Sequence, residues 1–123
     1  LEISENEIKK MLIYKIVELS LILVIDQFGN YVIQNLIQLN FPGVTNNIIE
    51  QMLPNILFYS KHKYSSNVVE KCLDHCDGSF KKNLIAKLAL KESVQDLILD
   101  EHGNYVLQKI LYHGNINIRN CFN

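Results

Sequence analysis

The chain has 123 residues, 48% of them apolar and 20% charged, which is enough for one modest core and is the composition of a soluble globular protein rather than a disordered or fibrous one. The formal net charge of -1 argues against a nucleic-acid binder driven mainly by phosphate neutralisation, though not against one that reads unstacked single-stranded bases. Three cysteines, Cys72, Cys76 and Cys121, at irregular spacing make a poor disulfide framework and fit a reducing compartment. The apolar run near Leu19–Ile25 is about one third of a membrane span, and nothing at the start has the charged, apolar, small-residue order of a secretory leader.

In chain order, Ser4 with Glu7 is a candidate capping box opening a long apolar stretch over Ile8–Ile25. A helix then follows the segment Asp26-Gln27-Phe28-Gly29-Asn30-Tyr31-Val32-Ile33-Gln34, with Val32/Leu36 and Ile33/Ile37 forming an i, i+4 stripe. Pro42-Gly43 ends this unit, and Thr45 is the expected cap of the next helix. A second apolar stretch, Ile48–Tyr59, contains Pro54, which reads as the first residue of a new helix. The segment His62-Lys63-Tyr64-Ser65-Ser66-Asn67-Val68-Val69-Glu70 opens another striped helix with Val68/Cys72 and Val69/Leu73. Asp77-Gly78-Ser79 separates it from a third apolar stretch, Leu84–Leu99. Asp100-Glu101-His102-Gly103-Asn104-Tyr105-Val106-Leu107-Gln108 then starts a last helix. No strand-like alternation stands out.

These three segments are one pattern repeated: aromatic ring, small residue, polar, planar, two aliphatics, then Gln or Glu. Asn30, Ser66 and Asn104 are 36 and 38 residues apart, a near-constant period that marks a stacked helical solenoid. The expected units are residues 4–40, 41–78 and 79–115, followed by an incomplete cap over 116–123, as in a piece of a longer array.

On a helix, residues i and i+4 share a face, so Asn30 and Gln34 lie together, as do Asn104 and Gln108. Paired amides match the acceptor–donor–acceptor edge of uracil. Tyr31 and Tyr105 lie beside them, placed to stack on a base. The middle unit has Ser66, Asn67 and Glu70 instead. A carboxylate only accepts, which suits the adjacent N1–H and N2–H donors of guanine, with Ser66 in support and Asn67 as a planar stacking surface.

The bland alternative, a solvated helix face with Asn30 and Asn104 as helix caps, explains one unit but not Gln34, Glu70 and Gln108 in register. Tyr31 and Tyr105 have packing between units as their alternative. Cys72, His75 and Cys76 lack a fourth ligand at useful spacing, and Cys72 holds the slot of Leu36 and Ile110, so core is expected and no metal. Asp26, His62 and Asp100 share one repeat position and read as helix caps or turns. Lys61, Lys63, Lys71 and Lys109 gather around the second and third helices, with Lys71 and Lys109 each directly after an edge residue. No nucleophile elbow or phosphate loop is present, so no enzyme and no cofactor are expected.

The Gly-Asn-Tyr-Val-x-Gln and Ser-Asn-Val-Val-Glu-Lys-Cys strings, in this order, make nearly the whole chain resemble the Pumilio (PUF) RNA-binding repeats, similar to the last three units of an eight-repeat array. The resemblance implies an all-α, right-handed α–α superhelix. It implies edge contacts by Asn30, Gln34, Ser66, Glu70, Asn104 and Gln108, and stacking by Tyr31, Asn67 and Tyr105. It also implies an antiparallel RNA with the core 5′-UGU-3′, in messenger 3′-untranslated regions. A cytoplasmic role in translation regulation, with protein co-regulators on the convex face and no membrane, follows from the same resemblance. The competing class is a helical scaffold of armadillo or HEAT type that binds proteins, which has no reason to keep the triplets.

Overall fold

In the computed structural model the backbone is described for residues 2–122 and the side chains for residues 2–113. The expected cap, 116–123, therefore lies outside the residues whose side chains are described. The described residues are helical throughout, joined by short turns.

Helix α1 (Glu5–Glu18) begins where the Ser4 hydroxyl accepts the Glu7 N–H at 3.2 Å, the hydroxyl half of the expected capping box. The apolar stretch over Ile8–Ile25 is not one helix. The chain kinks at Leu19 and continues as the single turn α2 (Ser20–Leu23), where the Ser20 hydroxyl back-bonds to the Val17 carbonyl at 2.7 Å. Helix α3 (Gly29–Gln38) follows, and the chain then reverses through two left-handed residues, Asn40 (φ 56°) and Gly43 (φ 78°).

Gly43, not Thr45, stands at the N-cap of α4 (Val44–Met52); Thr45 is one residue inside the helix and buried, where its side chain packs rather than caps. Pro54 sits in a short 3-10 turn, Leu53–Asn55, from which α5 (Ile56–Lys61) emerges, close to the expected restart. Helix α6 (Ser65–His75) is followed by α7 (Gly78–Leu88), whose N-cap Asp77 accepts the Phe80 N–H at 3.1 Å. The stretch Leu84–Leu99 is also divided, at Ala89-Leu90, with α8 (Lys91–Ile98) beginning afresh. Helix α9 (Gly103–Phe122) ends the described backbone.

Helices α3, α6 and α9 pack side by side as one row; α2, α4, α5 and α8 back this row, and α7 packs behind it on α4 and α5, as α1 does on α4. The core lies between the layers. Ile33, Ile37, Ile48, Ile49, Met52, Val68, Val69, Leu73, Leu84, Leu88 and Leu97 are fully buried there, each worth roughly 1.5–3 kcal/mol of transfer free energy. Helix α6 has a row neighbour on both sides, so its whole stripe, Val68, Val69, Cys72 and Leu73, is buried. On α3, Val32 is instead 45% exposed and, with Leu12, Ile13 and Ile16 of α1, lines an apolar groove. The row is what carries the candidate site, because it holds the three repeated segments in register.

Candidate nucleic-acid interface

Each row helix is launched by the same tight turn. The Asp26 carboxylate accepts the Phe28 and Gly29 N–H groups at 2.8 and 2.7 Å, and Asp100 accepts those of His102 and Gly103 at 2.9 and 2.7 Å. These backbone bonds hold the Asp26 carboxyl below its usual range; for Asp100, partial burial works the other way and the two bonds outweigh it. In the middle turn His62 takes this position, with Nδ1 facing the Tyr64 and Ser65 N–H groups at 3.1 and 3.4 Å. Both neighbours are donors, so Nδ1 must be the unprotonated nitrogen. The expected turn or cap role is therefore met at all three positions.

The small residue after the ring is a matter of clearance. A Cβ on Gly29 would lie 2.7 Å from the Leu23 carbonyl oxygen, and one on Gly103 2.9 Å from the Leu97 side chain. Ser65 occupies the same slot in α6 and uses its hydroxyl, which donates to the Tyr59 carbonyl at 2.8 Å.

The edge residues form an ordered relay. Asn30 Nδ2 donates to the carbonyls of Asp26 (2.8 Å) and Gln27 (3.1 Å), which turns its Oδ1 toward Gln34, and Gln34 Nε2 donates to that oxygen at 2.9 Å. Asn104 repeats this with Asp100 (2.8 Å) and Glu101 (3.1 Å), and Gln108 Nε2 donates to Asn104 Oδ1 at 3.0 Å. The expected pair of equivalent amides is thus unequal. Asn30 is fully buried and serves partly as the helix-start tie offered as its alternative role, while half-buried Gln34 is left with an acceptor oxygen and one N–H to present. In α6 this relay has no counterpart among the described residues. Ser66 is 3% exposed, and Glu70 is half-buried one turn along, its carboxyl pushed up by burial and drawn partly back by Lys109.

The residues placed to stack are free. Tyr31 and Tyr105 are 63% and 57% exposed, which rules out tight packing between units, and Asn67 is exposed beside them. The row therefore presents a planar side chain, then an edge group one turn further on, at three stations.

Of the four lysines around the second and third helices, Lys109 is bound to Asp74 at 3.1 Å, Lys61 lies 3.8 Å from Asp96, and Lys63 sits over the Tyr64 ring. Asp74 and His113, joined at 2.8 Å, escaped the sequence pattern, although their i, i+4 offsets from Glu70 and Lys109 put them on the same faces. Cys72 is wholly buried, which raises its thiol far above the usual range and leaves it inert as a ligand or nucleophile. Among the described residues no group of three or more His, Cys, Asp or Glu side chains gathers, and no helix is long and apolar enough to cross a membrane.

An all-helical solenoid that presents the same side-chain pattern at three evenly spaced helices defines a class of stacked helical-repeat proteins. The Pumilio-family RNA binding repeat matches residues 22–53, 55–89 and 93–121, and the chain belongs to that family. It is 38% identical over 115 residues to Pumilio homolog 12 of Arabidopsis thaliana, covering 94% of this chain and 19% of that protein. In structure it is similar to the Puf3 RNA binding domain bound to a Cox17 RNA 3′ UTR recognition sequence (TM-score 0.80, 29% identity, 89% of this chain and 30% of that one). It is also similar to the Puf4 RNA binding domain bound to an HO endonuclease RNA 3′ UTR recognition sequence (TM-score 0.78, 27% identity, 92% and 34%). The chain thus spans about a fifth of that curated relative and about a third of those solved domains.

Proposed function

We propose that this chain reads single-stranded RNA, one base per station, as part of a post-transcriptional regulator acting on messenger 3′-untranslated regions in the cytoplasm. The observation that carries the proposal is the ladder itself: exposed Tyr31, Asn67 and Tyr105, each with an edge group one turn along in Gln34, Glu70 and Gln108. The solved relatives bound to 3′ UTR recognition sequences support the ligand class.

Bases stack on the planar side chains. At the outer stations Gln34 and Gln108 offer an oxygen to a uracil N3–H and an N–H to a neighbouring carbonyl, in an orientation set by Asn30 and Asn104. At the middle station the Glu70 carboxylate accepts from guanine N1–H and N2–H, with Ser66 small enough to leave room. With the RNA antiparallel to the chain, the core read is 5′-UGU-3′. A protein-binding scaffold gains nothing from the Asn–Gln relay repeated to within 0.1 Å.

Stacking at about 1–3 kcal/mol per base gives roughly 3–9 kcal/mol before association costs. The chain alone therefore binds at about micromolar or weaker. The test is Glu70→Gln, measured by fluorescence anisotropy at fixed salt. Loss of hydrogen bonds to a charged acceptor, worth about 1.5–3 kcal/mol, lowers the preference for guanine in the middle position by about 10- to 150-fold. Full retention of that preference would remove Glu70 from base reading.

A further inference from the structure

Asp74 follows Glu70 by one turn of α6, so the two carboxylates leave the same face of the helix. Across the junction, α9 presents Lys109 and His113, also one turn apart. Lys109 Nζ bonds Asp74 Oδ2 at 3.1 Å and His113 Nε2 bonds Asp74 Oδ1 at 2.8 Å. The group is well sheltered, with side chains 29%, 17% and 32% exposed for Lys109, His113 and Asp74. Burial works against the Asp74 charge, but the bonds from His113 and Lys109 outweigh it and hold the carboxyl below its usual range.

Lys109 also acts on Glu70: its charge lowers a carboxyl that burial raises, with Asp74 and Lys71 acting in opposite directions on the same group. The charge of one flexible ammonium therefore bears on two carboxylates one helical turn apart, and it is bonded to one of them. The preceding junction lacks this arrangement. There Gln38 stands where Asp74 does, Lys71 where Lys109 does and His75 where His113 does, and His75 Nδ1 meets the Asn40 side-chain oxygen at 3.1 Å. The extra carboxylate occurs at the junction beside the one acidic edge residue.

We propose that Asp74 is a positioning residue for base recognition: with His113 it ties α6 to α9 and keeps Lys109 off Glu70, leaving the Glu70 carboxylate open to the paired N–H donors of a guanine edge. The inference rests on Glu70 as the edge residue of the middle station. Without Asp74, the carboxylate on which the Lys109 charge still acts is Glu70, one helical turn away on the same face, and a carboxylate already in an ion pair meets the base with fewer free lone pairs.

The experiment compares the wild type with Asp74→Asn, Lys109→Met and the double variant. In the free protein, the Glu70 carboxyl is titrated by carbon-13 NMR. Removing Lys109 raises the Glu70 pKa in either background, and the proposal requires a larger rise in the Asp74→Asn background than in the wild type. An equal or smaller rise would show that Asp74 does not restrain Lys109 and would overturn the proposal. With RNA, Asp74→Asn lowers the UGU-over-UCU preference at least about fivefold, and Lys109→Met in that background restores it. Equal weakening of both RNAs without rescue would leave Asp74 a helix tie only, which also overturns the proposal. Absence of any UGU preference in the wild type would count against the reading of Glu70, while the titration, made without RNA, still decides whether Asp74 restrains Lys109.

Discussion

The turn that launches α6 depends on a neutral imidazole, and this makes the middle station acid-sensitive in a way its neighbours are not. His62 Nδ1 accepts two backbone N–H groups, at 3.1 and 3.4 Å. Protonation converts that acceptor into a donor facing donors. Burial, and then the nearby His102, hold the His62 pKa below its ordinary 6.5. The unfolded chain therefore takes up the proton first. Stability from the neutral ring is complete above about pH 6.5 and is lost as pH falls toward the folded value. Losing a helix-start acceptor costs about 0.5–2 kcal/mol. By pH 5.5, one unit below 6.5, linkage limits the realised loss to about 1.4 kcal/mol, and for a chain of 123 residues each kcal/mol moves the melting temperature by about 3–6 °C, so the loss is about 2–8 °C. Asp26 and Asp100 do the same work with carboxylates held below 3.8, so they keep it at this pH. His62→Asp installs their acceptor. Between about pH 7.5 and pH 5.5 the wild type should lose about 2–8 °C more than His62→Asp in a thermal melt followed by circular dichroism. Parallel losses in the two proteins would refute the argument.

Two glycines should respond to alanine with opposite signs. Gly29→Ala drives a Cβ to within 2.7 Å of the Leu23 carbonyl oxygen and should cost about 1–3 kcal/mol, whereas Gly78→Ala, in the first turn of α7, meets nothing within 4 Å among the described residues and should gain about 0.4–1 kcal/mol; urea denaturation measures both, and a shared sign contradicts the role of clearance. The Ser60 hydroxyl is buried without a hydrogen-bond partner among the described residues, so Ser60→Ala should raise stability by up to about 1–3 kcal/mol in the same assay, and a loss would mean that the hydroxyl is hydrogen-bonded. Tyr31→Ala should weaken RNA binding by about 1–3 kcal/mol with little change in base preference, as read by anisotropy; an altered base choice at its own station would make Tyr31 an edge residue.

The row of helices and its three stations were legible in the sequence because their cause is local. The repeated segment sets the turn, the start of the helix and the face on which Tyr31, Asn67 and Tyr105 emerge. The second layer was less legible. Leu19 and the Ala89-Leu90 pair divide apolar stretches that composition alone runs together, since the breaks follow from how short helices lie on the row rather than from Pro or Gly. Thr45 resembles a cap by residue type, but the left-handed Gly43 fixes the start of α4 earlier. The unequal roles of Asn30 and Gln34 come from carbonyls exposed by the turn, and the Asp74–Lys109–His113 cluster joins residues 35 and 39 positions apart. The first is local but depends on carbonyl directions that residue type does not reveal, and the second forms only when α6 and α9 lie side by side.

Base selection by the ladder is read most directly by fluorescence anisotropy of the wild-type chain with labelled single-stranded RNAs that contain UGU or UCU, at one fixed salt concentration because phosphate contacts make affinity salt-dependent. UGU should bind clearly more tightly, since cytosine at the middle position offers Glu70 one amino group where guanine offers two adjacent donors. Equal affinity for the two RNAs in a folded sample would contradict it.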